Sequence, residues 1–196
     1  MLGIGNVQMW AAQSIECEDE QRLLMPGGHS PMGSGLPMAI GACYASDAPC
    51  VVVEGDGGLQ MNIQELQTVV RNHLPIKIVV MNNGCLGMLR QFCQSWFAGR
   101  MHQAVWGYDT PDFASVAKAY GLGYGDVTKP WDIEAALDKM WADPNEPYLL
   151  NVQIPAKAYC VPNVSYGKRL DEMQPPTPGV PMLLTKKFVI EDKKVP

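Results

Sequence analysis

Short apolar runs rich in β-branched residues punctuate the chain at 23–25, 50–54, 76–81 and 148–154. Glycine, proline or asparagine bounds most of them, which predicts buried strands. Residues 122–127 are a weaker strand candidate. Between these runs the period changes. Residues 32–45 predict a helix whose glycines and alanines let it lie close to a sheet. Residues 63–72 place Leu66, Val69 and Val70 on one face and Gln64, Gln67 and Arg71 on the other. Thr110, Pro111 and Asp112 read as an N-cap, a first-turn proline and a first-turn acid, and Gly121 ends that helix after Tyr120. Residues 132–141 form another amphipathic helix. Apolar strands alternating with helices predict an α/β fold, a three-layer, doubly wound, mostly parallel sheet.

Composition narrows the classes. The chain has 196 residues, 47% of them apolar and 18% charged, enough for a real core. One domain over 1–155 followed by an extended tail over 156–196 fits this length. From Pro155 onward the chain holds seven of its sixteen prolines and little periodicity. The net charge is −5 and no basic run appears, which argues against a nucleic-acid partner. No apolar run approaches the ~20 residues of a membrane span, and the first residues do not read as a cleavable leader. None of the six cysteines forms a C-x-x-C pair, which argues against zinc or iron–sulfur ligation. Four lie in apolar or helical contexts as small core residues, which points to a reducing, cytoplasmic location.

In a doubly wound sheet, ligands bind beyond the carboxyl ends of the strands. Three polar, glycine-rich segments follow the predicted strands: 26–30, 55–58 and 82–84. Asp56 offers a carboxylate, and Asn82 or Asn83 an amide oxygen. Both are hard donors suited to Mg²⁺, which takes few protein oxygens and completes its shell with phosphate and water. Gly57 and Gly58 leave backbone N–H groups free to approach a phosphate. Either motif alone reads as a tight turn. The two together, each after a buried strand in consecutive β-α units, point to a metal–diphosphate site.

Gly55-Asp56-Gly57, then 24 residues, then Asn82-Asn83 resembles the signature of thiamine diphosphate (ThDP) enzymes. Residues 5–13, 27–28, 32–37, 60–66, 74–77, 86–88 and 112–113 are similar to acetolactate synthase catalytic subunits, in their C-terminal ThDP-binding domain. The similarity covers about residues 3–155, and weakly 170–173. It implies the ThDP-binding fold. It also implies that Asp56, the Asn83 side chain and the Cys85 carbonyl hold Mg²⁺, and that Gly55, Gly57 and Gly58 lie against the diphosphate. Gln13 and the loop of Gly5, Asn6 and Gln8 would reach the same group. Met32 would be the apolar wedge under the cofactor, and Ser30 and Met32 would offer backbone bonds to its pyrimidine. Met88 and Phe92 would face the substrate side of the thiazolium.

The chain departs from the family at three places. Gly5-Asn6-Val7-Gln8 stands where Gly-Gln-His-Gln is usual, Phe92 where tryptophan is common, and His29 where an apolar residue is common. His29 is thus a candidate acid–base group on the substrate side. No catalytic residue is expected in the chain itself. The activating glutamate of such enzymes belongs to a pyrimidine-binding domain, on the same chain or another, and FAD belongs only to the full-length enzyme. The chain is therefore expected to be an excised domain, with a split subunit as the alternative. It is expected to self-associate as a homo-oligomer and to be inactive alone. The complete enzyme would decarboxylate pyruvate and join the two-carbon unit to a second 2-oxo acid. The alternatives are another ThDP-dependent decarboxylase or carboligase, and a non-catalytic phosphate- or nucleotide-binding module.

Overall fold

The computed structural model describes residues 1–46, 48–164, 167–169 and 171–174. Four strands, β1 (Cys50–Gly55), β2 (Ile76–Asn82), β3 (Gly123–Val127) and β4 (Tyr148–Gln153), form one sheet in the order β1-β2-β4-β3. Every pairing is parallel, with Cys50 opposite Ile76, Lys77 opposite Tyr148 and Gly123 opposite Tyr148. The side-chain period of two divides the sheet into two apolar faces. On one, Val52, Ile76, Ile78, Val80 and Leu149 are buried against helices α2 (Gly35–Ser46), α4 (Leu66–Arg71) and α6 (Phe113–Tyr120). On the other, Leu150, Val79 and Val152 meet Ala136 and Met140 of α7 (Ile133–Met140). This is a three-layer α/β fold with a parallel sheet.

The strands at 50–54, 76–81, 122–127 and 148–154 form as expected, to within a residue or so at each end. The predicted strand at 23–25 does not form. Leu24 and Met25 are exposed, and the position flanking β1 is taken instead by residues 1–3. Leu2 bridges Val53 in parallel, and Gly3 N–H donates to the Val53 carbonyl at 2.8 Å. The Leu24 carbonyl of the 23–25 segment accepts from Leu2 N–H at 3.0 Å.

Helix boundaries also shift. The helix expected from Met32 starts at Gly35, because Gly33 adopts φ +83°, outside the right-handed helical region. The helix expected at 63–72 is a 3₁₀ turn (Ile63–Glu65) followed by α4. Asp112, not Thr110, caps α6, accepting from the N–H groups of Ala114 and Ser115. Three helices are additional: α1 (Asn6–Ser14), where a loop was expected, the short α3 (Asp56–Met61), and α5 (Gly87–Trp96).

Lys77 is fully buried on the α7 side. Its Nζ donates to the main-chain carbonyls of Asp143 (2.7 Å) and Glu146 and lies 5.4 Å from the Trp141 ring centre. It thereby anchors the turn between α7 and β4. After β4 the chain returns as a strap. Asn6, Trp10, Gln13 and Gln91 donate to the carbonyls of Ala158, Tyr159, Pro162 and Cys160. A short antiparallel pair, β5 (Asn163–Val164) and β6 (Met173–Gln174), follows. The rest of the expected tail, residues 175–196, lies outside the described residues. Among the described residues no helix is long and apolar enough to cross a membrane.

Candidate functional site

β1 ends in Gly55 and delivers Asp56 as the first residue of α3. The Asp56 carboxylate is 2% exposed and tied on both oxygens. Oδ1 accepts from Gly57 N–H and Oδ2 from Gly84 N–H, each at 2.9 Å. The neighbouring strand β2 ends in Asn82, whose Oδ1 accepts from the same Gly84 N–H at 3.2 Å. Gly84 adopts φ +62°, which lets the chain turn tightly around the carboxylate. Asn83 Oδ1 accepts from Cys85 N–H at 3.2 Å. The ends of two adjacent parallel strands are thus locked together through Asp56.

Burial pushes the Asp56 carboxyl up to about 6, and the bonds from Gly57 and Gly84 hold it lower than burial alone would. The Tyr108 hydroxyl accepts from Gln60 Nε2 at 3.3 Å, and its influence lowers the Asp56 carboxyl. Glu54, two residues earlier, is fully buried, and burial raises it to about 7. Its Oε1 accepts from Gly35 N–H at 3.0 Å, and its Oε2 has no partner. Gly3, Gly35 and Gly58 enclose it so closely that a Cβ on any of them would collide with the carboxylate.

Beside Asp56 opens a cleft of about 440 Å³. Its lining brings together Gly5, Asn6, Ser30, Met32, Gly55, Asp56, Gly57, Gly58, Asn83, Cys85, Met88 and Phe92. Gln8, Gln13 and His29 do not line it. Helix α1 turns Gln8 toward the Pro26 carbonyl (3.4 Å) and Gln13 toward the Pro162 carbonyl (2.8 Å). His29 sits exposed in the preceding loop. Tyr108, Trp10 and Leu86 were not expected here. Tyr108 comes from an irregular loop, and no motif around it signals its arrival at Asp56.

The cleft suits a magnesium diphosphate. Gly57 presents a bare Cα: a Cβ there would lie 2.8 Å from Leu86 Cδ2 and 2.9 Å from the Tyr108 hydroxyl. The Gly57 N–H itself donates to Asp56 Oδ1, and Gly57 offers the cleft a surface without a side chain. Asn6 is buried at the start of α1, its Nδ2 bound to the Ala158 carbonyl and its Oδ1 unpartnered. Among the described residues no three His, Cys, Asp or Glu side chains converge. The donor set is one carboxylate with amide and main-chain oxygens, the set a hard cation shared with a phosphate takes.

The family described as thiamine pyrophosphate enzyme, C-terminal TPP binding domain, matches residues 3–152. The large subunit of acetolactate synthase isozyme 2 from Escherichia coli K12 is 41% identical over 171 residues, 87% of this chain and 31% of that protein. Acetolactate synthase 1 from the chloroplast of Oryza sativa subsp. japonica is 36% identical over 178 residues, 87% of this chain and 28% of that protein. A solved structure, the thiamine diphosphate-dependent 4-hydroxybenzoylformate decarboxylase of Rhodococcus jostii RHA1, aligns with TM-score 0.55 and 31% identity. That alignment covers 63% of this chain and 23% of the decarboxylase. The chain thus spans less than a third of the length of these relatives. It belongs to the thiamine pyrophosphate enzymes, related to the acetolactate synthase large subunits, and carries their C-terminal cofactor-binding domain.

Proposed function

We propose that this domain holds Mg²⁺ and the diphosphate of ThDP, as its part in an acetolactate-synthase-type enzyme. Asp56, the Asn83 side chain and the Cys85 carbonyl would hold the metal, while Gly57 and Gly58 would lie against the phosphates. One observation carries this reading. The buried Asp56 carboxylate and Asn83 line one cleft at the ends of adjacent parallel strands, beside a glycine with no room for a side chain. When bound, ThDP supplies the electron sink for decarboxylation of a 2-oxo acid. The chain's own residues orient it and dry one side of it. Met32 approaches the Gly57 position from the cleft floor, and Met88 and Phe92 line its apolar wall.

Among the described residues the cleft lining holds a single carboxylate, Asp56. Glu54 is sealed behind three glycines, and Glu65 accepts from the Thr68 hydroxyl on the helical turn beyond. The carboxylate that activates the cofactor would therefore come from a pyrimidine-binding domain. The complete enzyme would decarboxylate pyruvate and join the two-carbon unit to a second 2-oxo acid. The resemblance to a solved decarboxylase supports a second reading, in which the 2-oxo acid is decarboxylated without carboligation.

Calorimetric titration with ThDP, with and without Mg²⁺, tests the binding assignment. Heat of binding that disappears on chelation is the expected result. Binding of ThDP indifferent to chelation would remove the metal from the site, and tighter binding of ATP than of ThDP would point to a nucleotide module.

A further inference from the structure

Two cysteines lie outside the cleft, one in the last turn of α2 and one at the start of β1. Cys43 lies in the last turn of α2 and is buried, and Cys50 opens β1 and is partly exposed. Both thiols donate to one carbonyl, that of Ala48, at 3.8 and 3.7 Å. Both sulfurs therefore lie within 4 Å of one oxygen, while the Cys50 backbone N–H donates to the Pro75 carbonyl at 3.0 Å. Cys85 and Cys160, by contrast, donate to separate main-chain carbonyls elsewhere. Disulfides require sulfurs and Cβ atoms within a few ångströms of each other, and two thiols that share one carbonyl oxygen are held in the same neighbourhood.

We propose that Cys43 and Cys50 are an oxidisable pair that closes into an intramolecular disulfide on meeting a low-molecular-weight disulfide, stapling the end of α2 to the start of β1. The Cys50 thiol, the more accessible, loses its proton to solvent and attacks one sulfur of the oxidant. A mixed disulfide forms on Cys50, the oxidant's S–S bond breaks, and one small thiol leaves with a proton. Cys43 then gives up its proton and attacks the Cys50 sulfur, displacing the second small thiol. Two protein thiols lose two electrons and two protons, and one small disulfide becomes two thiols. Burial, followed by the neighbouring Cys50 thiol, pushes the Cys43 thiol up to about 12, which suits it to the second step and not the first.

The sequence offers a clean test. No lysine or arginine lies between Arg22 and Arg71, so one tryptic peptide, 23–71, carries both cysteines and no other. The folded full chain is incubated with oxidised glutathione, alkylated, and digested without reduction. The expected result is peptide 23–71 lighter than its reduced form by two hydrogens and bearing no alkyl group. In Cys43→Ser the same treatment should leave glutathione on Cys50. A stable glutathione adduct on Cys50 in the parent chain, or both thiols still open to alkylation, would overturn the proposal. The parent map needs no variant, so a misfolded variant leaves the result intact.

Discussion

Asp56 and Glu54 lie two residues apart, and burial raises both carboxyls, to about 6 and about 7. Their consequences run in opposite directions. If Asp56 holds Mg²⁺ as proposed, its anion is required, and a proton competes with the metal below pH 6. ThDP affinity in the presence of Mg²⁺ should fall about tenfold per pH unit below that point. Calorimetry at pH 5 and pH 7 measures it, and Asp56→Ala should abolish the metal-dependent part at both while keeping the fold. Stability without ligand behaves otherwise. A carboxyl raised in the folded state binds its proton more tightly there than in the unfolded chain. Its stabilisation is present at low pH and is lost as pH rises through the folded value. For Glu54 this window runs from its ordinary 4.5 to about 7. Glu54→Gln removes the loss, so its stability relative to the parent should improve by on the order of 3 kcal/mol across that window. Urea unfolding at both ends of the range reads the difference, and a flat difference would place the Glu54 titration outside the core.

Strand β3 holds Gly123 and Gly125, an unfavourable composition for a strand. Tyr148 on β4 explains them. Its ring lies across β3, and its hydroxyl donates to the Tyr124 carbonyl at 2.7 Å. A Cβ at position 125 would sit 2.9 Å from that hydroxyl and 3.1 Å from Leu150 Cδ1. Gly125→Ala should therefore cost about 1–3 kcal/mol by overpacking, seen as a lower Tm. Tyr148→Leu in the same chain should recover part of it. The same glycines make β3 the faintest strand in the sequence, whereas β1, β2 and β4 announce themselves through runs of Val, Ile and Leu. Helix α1 escapes notice because a glycine-flanked motif hides its start. Helix α5 has a stripe of Leu89, Phe92 and Trp96 at helical spacing, yet no residue of it is buried, so it does not read as a core element. Asp56 and Asn83 are legible because each directly follows a buried strand. Gln8, Gln13 and His29 are not, since their directions depend on α1 and on the loop before α2. Tyr108 depends on tertiary packing alone.

At the scale of the whole molecule, one carboxylate in the cleft and a chain under a third of its relatives' length lead to the same expectation. With saturating ThDP and Mg²⁺, this polypeptide alone should form no acetolactate from pyruvate. Turnover near 1 s⁻¹, the low end of ordinary enzymes, would show that the activating group lies within it. On α5, beside the cleft, Phe92 and Trp96 are each 50% exposed. The order of the strands in the sheet has a further consequence, in the time order of folding. β4 is the last of the four along the chain, yet it lies between β2 and β3, and β3 has no other strand partner among the described residues. On the ribosome, β1 and β2 can pair early, but β3 must wait unpaired until Gln153 has been made and released. Joining Lys77 to Tyr148 also closes a long loop, a slow step in parallel sheets. Nascent chains arrested before Tyr148 should show backbone protection in β1 and β2 and none in β3, and pulsed hydrogen exchange should see β3 and β4 gain protection together.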